Sequence, residues 1–207
     1  METQRRIASQ TELRERYGDP LQIAVAIEEP YLDEHHKNFI ANSPFVCLAS
    51  SGEDGQPTIS PKGDTPGFVS VIDDHTLVIP DRPGNNKVMS FQNILANPRI
   101  ALIFFVTGVR ETLRIEGEAD LVLDEQVLEL GRAGDRLPRA AVRVTVTKAY
   151  MHCGKALIRS KLRAEDSKAA AGAIPSFGEI VKDQANAPMS VEEVQSLIDH
   201  DYQADLY

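Results

Sequence analysis

The 207-residue sequence predicts a mainly β, α+β protein: an antiparallel β-barrel of six to seven strands with flanking N- and C-terminal helices. Three observations lead there. Residues 112–123 and 141–150 alternate apolar and polar side chains with the period of two that a half-buried strand requires. Several shorter apolar runs are separated by strings rich in Gly, Asp, Asn and Pro, with few helical patterns between them, as in an antiparallel barrel rather than a βαβ sheet. Helical patterning collects instead at the two ends of the chain.

The first 43 residues read as polar and helical. Residues 11–17 (TELRERY) carry charges three and four apart, which pair on a helix surface. Residues 31–42 place Tyr31, Leu32, His35, Phe39 and Ile40 near one face of an amphipathic helix that Ser43-Pro44 ends. From Phe45 the period changes. FVCLA (45–49) is a short apolar strand, the turn string SSGEDGQP follows, and residues 58–60 resume extended chain. Residues 67–72 and 76–79 form a hairpin about Asp73-Asp74-His75. Val88, Phe91, Ile94 and Leu95 recur at helical spacing across 87–96, and Asn97-Pro98 stops that helix, because the residue before a proline is pushed out of the α region.

Residues 99–107 (RIALIFFVT) are apolar on both faces, as in a strand whose exterior is covered. In 112–123, Leu113, Ile115, Gly117, Ala119, Leu121 and Leu123 share one face, opposite Thr112, Arg114, Glu116, Glu118 and Asp120; Gly117 marks a bend or bulge. In 141–150, Val142, Val144 and Val146 oppose Arg143, Thr145 and Thr147. The alanine-rich string 164–173 reads as exposed and mobile. Residues 190–202 read as a C-terminal helix, with Ser190 and Glu193 at capping-box spacing. The expected organisation is therefore a helical extension over 1–30, a barrel domain over 31–163, and a flexible segment with a helical extension over 164–207.

Composition narrows the function. The net charge of −9 argues against nucleic-acid binding, which requires clustered positive charge. No apolar run approaches the roughly 20 residues of a membrane span, the N-terminus lacks a secretory pattern, and two cysteines build no disulfide framework. A cytoplasmic protein is expected. The charge is uneven, however. Between Arg136 and Arg163 lie eight cations and no Asp or Glu; the 14 remaining Lys and Arg (22 less those eight) face 31 Asp and Glu. Two readings stand: a solvated basic face matched to acidic neighbours, or a stretch that partly faces an anionic ligand such as a phosphate.

No nucleophile elbow, zinc-protease motif or Walker loop is present. Gly131-Arg132-Ala133-Gly134 is a loop rather than a dinucleotide fingerprint. His35 and His36 are consecutive and point about 100° apart on a helix, a poor metal pair, and no metal site is expected. The informative segments are SPKGD (60–64) and IPDRPGNNK (79–87). Lys62 ends an extended segment. Arg82 and Lys87 bracket a Pro-Gly-Asn-Asn loop that runs into a helix, whose first turn offers unpaired amides and a positive dipole end. A phosphate monoester would suit such a place, and so would a surface turn with an asparagine cap.

The order strand, SPKGD, hairpin, IPDRPGNNK, helix, NPRIAL and TLRIEGEA resembles the FMN-binding core of the pyridoxamine 5′-phosphate oxidase-like split-barrel family, over about residues 31–163. DRPGNN, HCGKALIRS (152–160) and PSFGEIVKDQ (175–184) are similar to strings of a subgroup of FMN-dependent proteins of unknown substrate; Arg163 stands where that subgroup has Trp. The resemblance implies a split barrel with Lys62, Asn85, Asn86 and Lys87 about the FMN phosphate, Pro80 and Asp81 beside the flavin ring, and Ser60 and Arg82 as further FMN-binding residues. It also implies a homodimer with FMN at the subunit interface, where Thr112, Arg114, His152 and Lys155 line the cleft from the second subunit. The activity implied is an FMN-dependent oxidoreductase acting on a small molecule. A non-catalytic flavin-binding, storage or sensing protein, and a split barrel using haem or a deazaflavin, are the alternatives. Pyridoxamine-phosphate oxidase activity itself is not expected, because the Arg-x-His string that would hold that substrate's phosphate has no close copy here.

Overall fold

The computed structural model of the chain describes residues 6–162 and 174–205. Its centre is one seven-stranded sheet formed by β1 (Phe45–Ser51), β2 (Pro57–Gly63), β3 (Ser70–Asp73), β4 (Thr76–Pro80), β5 (Arg99–Phe105), β6 (Thr112–Val122) and β7 (Ala141–His152). The strand order is β2-β1-β5-β6-β7-β4-β3, and every pairing is antiparallel. β2 and β3 are edges, so no hydrogen-bonded seam closes the barrel. β2 carries Pro57 and Pro61, and a proline can donate nothing to a neighbouring strand.

Alternation puts one face of each strand inward. Val46, Leu48, Ile100, Leu102, Phe104, Leu113, Ile115, Val142, Val144 and Val146 meet in a single core, with Leu32 and Ile40 packed on it. On β5 the opposite face, Ala101, Ile103 and Phe105, is only half-buried, so the exterior expected to be covered is partly open in one chain. Gly117 marks a bulge, as its isolation in a strand suggests. Glu116 pairs with Lys148 and Gly117 with Val146, which leaves Thr147 as the extra residue on β7. A Cβ on Gly117 would sit 2.3 Å from the Thr145 carbonyl oxygen, so only glycine fits. Beyond the bulge the inward residue becomes Ala149.

Helices α1 (Gln10–Tyr17), α2 (Gln22–Ala26) and α3 (Glu34–Ala41) precede the sheet. α3 starts later than its apolar pattern implies, and this changes which histidine is inside: His36 and Ile40 are buried, whereas His35 is exposed. Asp33 caps the helix through a reciprocal pair of bonds with His36. Between β4 and β5 lies α4 (Met89–Ala96), which begins two residues after Lys87; Ile94 is buried, but Leu95 is 77% exposed. Its end is as expected, with Asn97 extended ahead of Pro98.

Two short helices were not evident from periodicity: α5 (Glu125–Glu129) and α6 (Lys155–Ser160). Asp124 caps α5 by accepting from Gln126 and Val127 amides, which ends β6 at Val122 and leaves Leu123 outside rather than on the inward face. α7 (Phe177–Ala185) and α8 (Val191–Asp205) pack on each other, and Ser190 and Glu193 form the expected capping box. The string 164–173, read as mobile, and Arg163 lie outside the described residues. No described helix is long and apolar enough to cross a membrane.

Candidate functional site

A cavity of about 600 Å³ opens where β2, the loop after β4, the start of α4 and the loop before β7 meet. That volume suits a small-molecule or cofactor site, for which roughly 300–1,000 Å³ is usual. Each wall has a local cause. β2 brings Thr58, Ser60 and Lys62 to one side, two residues apart along the strand. After Pro80 the chain leaves the sheet, held by the Asp81 amide donating to the Ala140 carbonyl at 2.9 Å. Pro83-Gly84-Asn85-Asn86 then turns it into α4. Asn86 is left-handed, a conformation asparagine tolerates, and the Asn85 side-chain oxygen accepts from the Lys87 amide at 3.0 Å. Val88, at the N-cap, is also left-handed and provides no side-chain cap, so the first-turn amides of α4 are not capped by it.

The fourth wall comes from Ala133 to Arg139. Ala133 and Arg136 exchange two backbone bonds of 3.0 Å around Gly134, the tight loop expected there. Arg136 and Arg139 therefore join Lys62, Arg82 and Lys87 at the cavity. α4 is fixed against the sheet by Asn93, whose amide donates to Thr58 Oγ1 at 2.9 Å and Ser50 Oγ at 3.1 Å.

Among the described residues, five Lys and Arg thus line the cavity against one acid, Asp81. Burial pushes the Lys62 ammonium below its ordinary pKa, with the Asp81 charge pulling the other way. Burial likewise raises the Asp81 carboxyl, opposed by Lys62, the Arg82 amide and Arg139. Lys62 Nζ stands 6.0 Å from the centroid of the Phe91 ring. A half-buried ammonium near one shared carboxylate leaves net positive charge for an anion to neutralise. Arg82 differs from the others: its Nε donates to Asp64 at 2.6 Å and its Nη1 to the Gly131 carbonyl at 2.7 Å. Its side chain clamps the loops on either side of the cavity.

Of the residues singled out in sequence, Ser60, Lys62, Asp81, Arg82, Asn85, Asn86 and Lys87 line this one cavity. Pro80 is buried at the end of β4, where Gly131 packs so closely that a Cβ there would lie 2.5 Å from the proline's own Cβ. Thr112, Arg114, His152 and Lys155 form a second group that does not line the cavity. Thr112 pairs with His152 and is buried; Arg114 pairs with Tyr150, its guanidinium 5.3 Å from the ring centroid; Lys155 opens α6 and is exposed. Thr58, Ser90, Phe91, Arg136 and Arg139 were missed as individuals. The basic stretch beginning at Arg136 signalled two of them. Elsewhere that stretch is matched by acids, Arg143 to Asp120 and Lys148 to Glu28, as the first reading of it expects.

No curated protein matches the chain. Solved structures with a similar course include HupZ of Group A Streptococcus, at 22% identity and TM-score 0.47, covering 58% of this chain and 93% of that one. A putative pyridoxamine 5′-phosphate oxidase of Lactobacillus delbrueckii is 23% identical, with TM-score 0.48, and covers 59% of this chain and 95% of that one. An FMN-binding protein of Syntrophomonas wolfei is 11% identical, with TM-score 0.44, and covers 56% and 82%. Residues 32–153, more than half of the sequence and the whole of the described sheet, match the family described as pyridoxamine 5′-phosphate oxidase, and the chain belongs to that split-barrel family.

Proposed function

We propose that the cavity binds FMN and that the protein is an FMN-dependent oxidoreductase acting on a small molecule. The observation that carries this is the convergence of Lys62 and Lys87, 25 positions apart in sequence, on one cavity together with Arg136, Arg139 and the first turn of α4. Cations, asparagine amides and open helix amides are the groups a phosphate monoester needs. Bound FMN would supply hydride or electron transfer, and the protein would contribute position and electrostatics. Lys62, Lys87, Asn85, Asn86 and Ser60 would hold the phosphate end; Asp81 would stand beside the ring.

A homodimer belongs to this reading. Thr112, Arg114, His152 and Lys155 lie away from the cavity of their own chain, so a second copy would be required to bring them to it. Both cysteines are free, which suits a reducing compartment such as the cytoplasm.

The visible spectrum of the purified protein tests the proposal. Oxidised-flavin bands that bleach with NAD(P)H and return with oxygen are expected. Flavin bands that no donor reduces would leave a binding protein; a Soret band or deazaflavin spectrum would replace FMN altogether. Lys62→Glu and Lys87→Glu are each expected to lose bound flavin while retaining the circular-dichroism spectrum of the fold, and stoichiometric flavin in either variant would overturn the phosphate assignment.

A further inference from the structure

Asp81 is out of place in a cavity built only to attract an anion. It is the one acid among the described lining residues, set among Lys62, Arg82, Lys87, Arg136 and Arg139. Its charge offsets that of Lys62, and its half-buried position makes the carboxylate costly to keep ionised. A site for phosphate alone would be stronger without it.

The backbone that carries the carboxylate is held in place. Its amide is bonded to Ala140, Pro80 before it is buried in the barrel wall, and Arg82 after it is tied to Asp64 and Gly131. A side chain whose backbone is held on both flanks and set into a cavity wall is placed to read a ligand rather than to yield to it.

We infer that Asp81 is the specificity-determining residue of the cavity: its carboxylate accepts a hydrogen bond from an N–H or O–H group of the ligand, and it disfavours ligands that bring a second anionic group to that wall. The favoured ligand is thus a phosphate monoester whose remaining body is uncharged and carries such a donor, a description that FMN meets through its ring imide and its ribityl hydroxyls. The inference rests on the flavin reading above and adds to it the donor group of the ligand that Asp81 meets.

Calorimetric titration of the full chain with FMN and, separately, with inorganic phosphate tests it. Asp81→Leu removes charge and acceptor together, and Asp81→Asn keeps the shape and a neutral acceptor. In Asp81→Leu, FMN is expected to bind at least about tenfold more weakly, the scale of a lost charge-assisted hydrogen bond, while phosphate binds about two- to fivefold more tightly as a screened opposing charge disappears. Asp81→Asn should fall between wild type and Leu for FMN and should also tighten phosphate. Parallel tightening of both probes would overturn the inference, showing Asp81 to be only a counterweight to Lys62. Parallel weakening would overturn it too, showing that Asp81 merely braces the wall. Phosphate without FMN binding in the wild type is a different failure, because it removes the flavin reading itself and this inference with it.

Discussion

His36 is tuned by its burial. Desolvation lowers its pKa from 6.5, against the attraction of Asp33, whose Oδ1 lies 3.1 Å from Nδ1, and of Glu29; the Asp33 backbone N–H also donates to Nδ1 at 3.3 Å. The unfolded chain therefore binds more protons than the folded one between the lowered value and 6.5, and stability falls as pH drops through that window. His36→Gln keeps an acceptor at the same capping position; its denaturant-unfolding free energy is expected to lose this slope between about pH 7 and 5, where the ordinary histidine range lies. An unchanged slope would assign the effect to other groups. Val88 is the second informative residue. A β-branched side chain at φ 45° is strained by roughly 1–3 kcal/mol. Val88→Asn, which tolerates that conformation, is expected to raise the thermal midpoint of the ligand-free protein, by the equivalent of about 1 kcal/mol; a lower midpoint would show that valine's contacts outweigh its strain. Lys62 and Lys87 were singled out in sequence through the family resemblance of the strings that carry them, because a charge beside a Pro-Gly-Asn-Asn turn suits a surface turn equally well. Ser90 and Thr58 were not, since a hydroxyl is equally at home facing solvent.

Among the elements, β6 and β7 were the most legible, because eleven and twelve residues of alternation leave little ambiguity. Alternation slips at Thr147-Lys148, two polar residues in succession, and the register makes Thr147 the extra residue that brings Ala149 inward. Gly117, opposite it, was the sign read from the sequence. Gly117→Ala would drive a methyl into the Thr145 carbonyl, and a destabilisation of about 1–3 kcal/mol is expected in equilibrium unfolding; a variant within a few tenths of wild type would show that the strands separate there at little cost. α5 and α6 escaped notice for another reason. Five and six residues are too few to display a helical period, and α5 owes its start to Asp124 rather than to its apolar pattern. The two-residue delay of α4 has the same origin: the left-handed backbone at Asn86 and Val88 comes from the turn, which periodicity does not record.

At the scale of the molecule, the main apolar core draws on residues from Leu32 to Ala149, and none from the helices before or after them. Glu29 still bridges Ala149, and Glu28 pairs with Lys148 at 3.1 Å, so the folding unit begins near residue 28. A chain of residues 28–162 is accordingly expected to unfold cooperatively within about 5 °C of the full-length midpoint, the equivalent of roughly 1 kcal/mol; collapse of its near-ultraviolet spectrum would make the terminal helices part of the core. The barrel was legible because its strands announce themselves locally. Its cavity was only half legible, because the loop carrying Arg136 and Arg139 reaches it from a distant part of the sequence, well beyond Lys87. The prolines of β2 bear on how such molecules meet. Pro57 and Pro61 share parity along the strand, and setting that parity outward leaves the amides of Thr58, Ser60 and Lys62 for β1. The free rim then lacks half the donors another strand would need, so a ribbon cannot grow from it. Strand-by-strand extension is thereby barred at this rim of the sheet, and the strand at the other rim, β3, is only four residues long.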